Sequence, residues 1–238
     1  MKIMIRSYQM FLSQLMKDGV MFLMLFTPFL AAIAFRFGVP FLEHLLTDHF
    51  NLESIISPYY RLIDLFLVSM TAYMFCFAVA MTMLDEYDEN VIEHLIITPI
   101  KKGGYLISRL GFSMGMAFLF SVVIFTAFAL ESWAWPMKVF LSLMSSFLGL
   151  IIALIVFSFS SNKVEGLAIA KMAGLVLSGF MVPFFVDHYL GFVFMVLPSY
   201  WIAVFALEVT WISFVMVLAV MLVWLWALMK RFNKKLST

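Results

Sequence analysis

LIDLFLVSMTAYMFCFAVAMTML, residues 62–84, runs without a break into DEYDENVIEHLIITP, residues 85–99. The first stretch holds one charged side chain, Asp64, and is long enough to cross the ~30 Å hydrocarbon core of a bilayer, which takes a helix of about 20 apolar residues. The second stretch is acidic and amphipathic. As a helix it sets Val91, Ile92, Leu95 and Ile96 on one face and Asp88, Glu89 and Glu93 largely on another, as in a surface helix that docks into a partner's groove. Pro99 stops it, and Gly103-Gly104 turns the chain back towards the bilayer.

Composition places the whole chain in the same class. Of its 238 residues 65% are hydrophobic and 12% charged, half the roughly 25% charged expected of a soluble domain. The chain reads as one transmembrane domain over 1–238. It shows no G-x-x-x-x-G-K-[ST] phosphate loop and no soluble stretch near the ~100 residues of a catalytic domain, so an energy source is expected on another chain. The single cysteine, Cys76, lies within an apolar run and has no partner for an intrachain disulfide.

Six runs reach spanning length: Val20 to Leu42, Leu62 to Leu84, Leu110 to Leu130, Val139 to Phe159, Leu167 to Val186 and Val209 to Met229. Fifteen Lys and Arg then set the orientation. With the N-terminus inside, only Arg36, Arg61 and Lys138 fall outside, a strong positive-inside pattern that makes both termini cytoplasmic. A further apolar stretch, Tyr189 to Leu207, is interrupted by Pro198, and a crossing there would send Lys230, Arg231, Lys234 and Lys235 outside. It is therefore expected to be a re-entrant hairpin, 187–208, of two half-length helices in the outer leaflet. Such backbone is tolerated at membrane depth only where it packs on protein or lines a cavity. Ahead of the first run, Met4, Tyr8, Phe11, Leu12, Leu15 and Met16 share a helical face, which predicts an interfacial helix within residues 1–19. That first run is of full span length and has no small-residue cleavage site, so it is expected to stay as a span.

These features together resemble the membrane subunit of a type-2 ATP-binding-cassette (ABC) exporter. Such permeases often carry E-x-G-T-L-E-x-L-x-x-T-P between spans two and three; Glu89, Glu93, Leu95, Thr98 and Pro99 match it, and Ile92 stands for its leucine. Asn90 and Val91 replace its glycine and threonine. Leu197-Pro198-Ser199-Tyr200-Trp201 is similar to the segment before the family's last span, and Asn162 to Ala168 to its second cytoplasmic loop. The resemblance implies an all-α polytopic fold in the cell membrane: six transmembrane helices, an N-terminal interfacial helix, a cytoplasmic coupling helix and an outer hairpin. It implies coupling to a cytoplasmic ABC ATPase through Glu89, Val91, Ile92, Glu93, Leu95, Ile96, Thr98 and Pro99, and an outer gate at Pro198, Tyr200 and Trp201. ATP and Mg would sit on that ATPase, with no cofactor on this chain. The expected partners are the ATPase, a second permease copy or homologue and the lipid bilayer, with no nucleic acid. Twenty Met and 28 Phe lean towards a hydrophobic or amphipathic cargo, such as a peptide, drug or lipid.

Other chemistries fit less well. Gly111-Phe112-Ser113-Met114-Gly115 spells G-x-S-x-G, but a nucleophile elbow needs a strand-turn-helix setting, so an intramembrane serine hydrolase using Ser113 is a weak alternative. The two glycines are expected to form a small-residue packing face instead, as are Ala170, Gly174 and Ser178 in run five, whose Pro183 is expected to kink its outer end. His44, His49, His94 and His188 show no clustered ligand spacing, and no metal site is expected. Arg36, Asp64 and Lys171 lie near run ends and are expected to snorkel to the interface. A non-transporting receptor or scaffold is the remaining alternative.

Topology is directly testable. In a Cys76→Ser background, single cysteines at Thr47 or Lys138 should react with an impermeant thiol reagent from outside, and those at Lys102 or Ser237 only after permeabilisation. External labelling at Ser237 would sink the six-span arrangement.

Overall fold

The computed structural model describes residues 19–92, 101–186 and 191–236, and all regular structure among them is helical. The expected interfacial helix of residues 1–19 lies outside them except for Gly19. The first rod comprises α1 (Gly19–Ile33), a π-helical segment (Ala34–Gly38) and α2 (Val39–Phe50). Helix α3 (Tyr60–Asp88) follows. The third rod comprises α4 (Lys101–Leu106), a second π segment (Ile107–Gly111) and α5 (Phe112–Phe128). Then come α6 (Trp135–Phe159), α7 (Lys163–Ala173), a 3-10 helix (Gly174–Phe180) and α8 (Val182–Phe185). A 3-10 turn (Phe192–Val196), α9 (Pro198–Leu207) and α10 (Trp211–Lys235) complete the chain.

Five helices among the described residues are long and apolar enough to cross a membrane: Phe26–Phe50, Ser57–Asp88, Gly103–Phe128, Trp135–Phe159 and Trp211–Lys235. The fifth sequence run differs from expectation. Instead of one α-helix with a kink at Pro183, it tightens to 3-10 geometry from Gly174. Gly174, Ser178 and Gly179 are poor helix formers, and the proline ring at 183 removes a backbone donor just beyond.

Helix α3 is the axis of the bundle, packed chiefly on α6 and α5. In lipid no hydrophobic force drives helices together, so close van der Waals contact and interhelical hydrogen bonds must do so. Gly149 of α6 provides the closest approach: a Cβ there would meet the Ala72 carbonyl oxygen at 2.7 Å and Cys76 Sγ at 3.1 Å. Next to it Ser69 and Ser145 share a hydrogen bond of 2.9 Å, and Ser121 Oγ donates to the Val68 carbonyl at 3.3 Å. Gly166 and Gly179 are equally crowded, against Leu84 and against Ser199 and Tyr200. The glycines singled out in the sequence behave otherwise. Added Cβ atoms at Gly115 and Gly174 would meet nothing, and one at Gly111 would meet only Ile107 of its own rod. They form no packing face within the chain.

The first rod stands apart from the core. Ala32 packs with Leu67 and Ile124, while Leu30, Ile33, Phe37 and Phe41 remain exposed. Gly149→Ala should lower stability by about 1–3 kcal/mol through forced separation of α3 and α6, whereas Gly115→Ala should be neutral. Thermal unfolding of both variants in lipid nanodiscs checks this, and equal melting temperatures would show that the close approach is not under tension.

Candidate functional site

Two ends of the bundle carry its polar chemistry. The basic end joins the foot of α3 to the start of the third rod. Glu86, Arg109 and Tyr105 are each at most 2% exposed there. Arg109 grips the Glu86 carboxylate with two nitrogens, Nη2 at 2.5 Å and Nε at 3.1 Å, and Tyr105 Oη donates to the same carboxylate at 2.8 Å. The Arg109 guanidinium also lies 5.5 Å from the Tyr105 ring centre. Arg109 sits in the π segment, and wider winding of that kind re-aims side chains and is frequent at functional sites.

A second tie runs beside it. Lys163 Nζ meets Asp85 at 2.8 Å, and the Lys163 backbone N–H donates to Asp88 at 3.3 Å. Helix α7 is started by Asn162, whose side chain accepts from the Glu165 N–H at 2.9 Å, while Glu165 accepts from the Ser161 N–H at 2.6 Å. This reciprocal arrangement satisfies donors that the first turn leaves free. Lys235 closes the cluster by donating to the carbonyls of Phe157 at 2.7 Å and Ser160 at 2.5 Å, capping the end of α6. Its ammonium also rests 4.3 Å from the ring centres of both Tyr87 and Phe157.

Between these ties the chain leaves α3 through Asn90, whose φ is 58°. That left-handed conformation favours glycine, and asparagine is among the few other residues that enter it readily. At the position of the resembled motif's glycine, Asn90 therefore makes a turn that a glycine would also permit. Of the expected coupling residues, Glu89 is exposed and Val91 half-buried, while Ile92 is 2% exposed and belongs to the chain's own core. Ile92 is therefore not part of a free docking face. Glu93, Leu95, Ile96, Thr98 and Pro99 lie outside the described residues.

At the far end buried polar groups again hold the chain. Asp64, 0% exposed, accepts from the Leu130 N–H at 2.8 Å, the Glu131 N–H at 3.0 Å and Trp133 Nε1 at 2.8 Å. It fixes the turn between α5 and α6 and does not snorkel. Arg36, on the other π segment, is exposed and donates to the Ala129 carbonyl at 2.6 Å, so it too binds that turn; Lys171 is exposed.

The described residues of the expected hairpin are held by hydrogen bonds to their neighbours. Ser199 Oγ donates to the Val176 carbonyl, and Trp224 Nε1 to the Val196 carbonyl at 2.8 Å. Trp224 lies about 20 Å along α10 from Trp211, at ~1.5 Å per residue. The break at Leu197–Pro198 therefore sits near the middle of the last helix, and α9 climbs from there to the far end. Residues 187–190, the first of the expected hairpin, lie outside the described residues. Pro198 opens α9 without needing a donor. Tyr200 and Trp201 are 9% and 8% exposed, and Trp201 Nε1 donates to the Met195 carbonyl at 2.8 Å. The two rings face a cavity of about 410 Å³ together with Val182, Gly191, Met195 and Val204. They do not lie in an outward-facing aromatic belt.

Ser113 is buried in α5 and spends its hydroxyl on the Leu110 carbonyl at 2.9 Å. The two described histidines, His44 and His49, lie on α2. No group of three His, Cys, Asp or Glu among the described residues could hold a metal ion.

Residues 11–229 match the family described as Fluoroquinolones export permease protein Rv2686c-like. The chain belongs to this family. It is a multi-pass membrane protein and an ABC-2 type exporter permease, a transport subunit and not an enzyme. No curated protein and no solved structure matches it.

Sequence reasoning missed what holds the flanks of the expected coupling segment. Arg109 reads as one more inner-loop cation, although an arginine followed at once by an unbroken apolar run signals a buried partner. Arg109→Met should destabilise the permease by about 3–5 kcal/mol by stranding the Glu86 carboxylate, and Glu86→Leu with Arg109→Met should recover most of that loss. A double-mutant cycle on thermal unfolding measures the coupling; additive losses would show that the pair is not linked.

Proposed function

We propose that this chain is the permease half of an ATP-driven exporter, with the basic end in the cytoplasm and seated on a separate ABC ATPase through residues 85–104. The observation that carries this reading is the double tether around the coupling loop. Glu86 with Arg109 binds the loop's two flanks to each other, and Asp85 with Lys163 binds them to α7. A push on residues 89–100 then reaches three rods, most directly across the buried, bidentate Glu86–Arg109 pair, which leaves little slack, and also through the half-exposed Asp85–Lys163 contact. ATP and Mg are held by the ATPase, and this chain contributes no nucleotide site of its own.

On this reading the stretch from Lys163 to Phe185 supplies the sixth crossing. At ~1.5 Å per α-helical and ~2.0 Å per 3-10 residue it measures about 38 Å, more than the ~30 Å required. Residues 187–208 enter from the outside and return. Tyr200 and Trp201 form the outer gate, since both rings wall a cavity beside the hairpin break. A second permease copy or a homologue completes the conduit, and the exposed apolar row of the first rod is available to it or to lipid. The family's description points to a drug-like, aromatic and amphipathic cargo, moved outward across the cell membrane.

The coupling face is tested at Leu95 and Ile96, since Ile92 would report folding as much as docking. Leu95→Asp with Ile96→Asp should leave the permease monodisperse while releasing the ATPase or uncoupling its hydrolysis. The cost would be several kcal/mol where charge enters a packed groove. Normal recovery of the complex with normal export by this variant would reject the docking face.

A further inference from the structure

A second cavity, of about 530 Å³, opens at the far end between Arg61, Trp133, Pro136, Phe140, Phe205 and Val209. Its walls are fixed before any ligand arrives. The Trp133 indole is held by Asp64 at 2.8 Å and meets Phe125 edge-on at 5.6 Å. Phe140 packs against Phe205 at 4.7 Å and Phe214 at 5.4 Å. The volume lies within the ~300–1,000 Å³ of drug-sized pockets, which combine apolar walls with a few placed polar groups.

Arg61 supplies the polar group. Its guanidinium lies 5.7 Å from the Trp133 ring centre, and it is exposed with no ion pair among the described residues. Glu131 and Glu208 are near in sequence but do not line the cavity. A cation with no carboxylate of its own, set over a rigid aromatic wall, matches a planar ring that carries a carboxylate. The ring would lie between Trp133 and Phe140, and the carboxylate would pair with the Arg61 fork. We propose that this cavity is a binding site for aromatic carboxylates, the last place the exported molecule is held before release. The site itself follows from the cavity, and only its place at the end of the path rests on the exporter reading. The family's description agrees in chemistry, a quinolone being a planar bicyclic ring that bears a carboxylate.

The test uses the full chain in lipid nanodiscs and two probes, nalidixic acid and its methyl ester, followed by isothermal titration. Wild type should bind the acid about tenfold more tightly than the ester, the worth of one charge-assisted pair. Arg61→Ala should erase that preference while retaining ester binding. Val209→Trp, a change at an exposed position that narrows the cavity, should weaken both probes. Equal affinity of wild type for acid and ester, or a preference that survives in Arg61→Ala, would overturn the site. Export is measured separately in proteoliposomes with the ATPase. Absent export with the Arg61-dependent preference intact would reject the exporter reading and keep the site. Intact export without that preference would do the reverse.

Discussion

The buried pairing of Glu86 with Arg109 is the constraint on which the basic end depends. A carboxylate and a guanidinium removed from water each lose several kcal/mol of hydration, which close, bidentate contact must offset. Tyr105 adds a third bond to the carboxylate at 2.8 Å, leaving little unsatisfied. An apolar pair of similar volume could hold α3 to the third rod as firmly. What the charged pair adds is register: a bidentate fork has one good geometry, whereas apolar side chains can slide past one another. On the exporter reading, a segment that delivers a push in a defined direction benefits from that difference.

Irregular backbone imposes the second constraint. The 3-10 turn Phe192–Val196 and the extended Leu197 leave carbonyls without helical partners, which within a bilayer only protein donors could meet. Two indoles take their place, Trp201 on Met195 and Trp224 on Val196, both at 2.8 Å. Trp201 is thus fixed by its own turn and Trp224 by the neighbouring helix, which ties the hairpin to α10. For Tyr200 and Trp201 the consequence is specific. Any movement of these rings that opens a path must also release or carry along the Met195 carbonyl, so the hairpin moves as a unit.

Most of the architecture was legible because the bilayer penalises every exception. Apolar runs of sufficient length, a basic imbalance between loops and a proline inside Tyr189 to Leu207 are direct consequences of hydration cost, and each leaves a mark in one dimension. The ties are not of that kind. Glu86 and Arg109 are joined across a loop, Asp64 reaches the backbone of residues 130 and 131, and neither link follows a helical period. Asp64 was misread as an interfacial charge because its depth suits snorkelling, and only the turn beyond α5 reveals what satisfies it. Gly111 and Gly115 looked like a packing face from spacing alone, while Gly149, where an added Cβ would fall 2.7 Å from the Ala72 carbonyl oxygen, stands in a series of the same spacing, Ser145, Gly149 and Ala153, that the sequence reading passed over.

The two buried carboxylates share one helix, and their positions explain how its ends communicate. Asp64 and Glu86 lie about 33 Å apart along α3 and about 40° apart around it, at ~1.5 Å and ~100° per residue. Both therefore face the same neighbour. Glu86 holds Arg109 at the start of the third rod and Asp64 holds the backbone just past its end. Two rods riveted at both ends behave as one rigid body, while α9 and α10 join the bundle through ring contacts and a few hydrogen bonds, among them Lys235 on the end of α6. The far-end cavity lies where the two parts meet, with Arg61 and Trp133 on the riveted pair and Phe205 and Val209 from α9 and the turn before α10. On the exporter reading, a push delivered at the coupling loop displaces the riveted pair as a whole, and the first space to change shape is the one where cargo would wait.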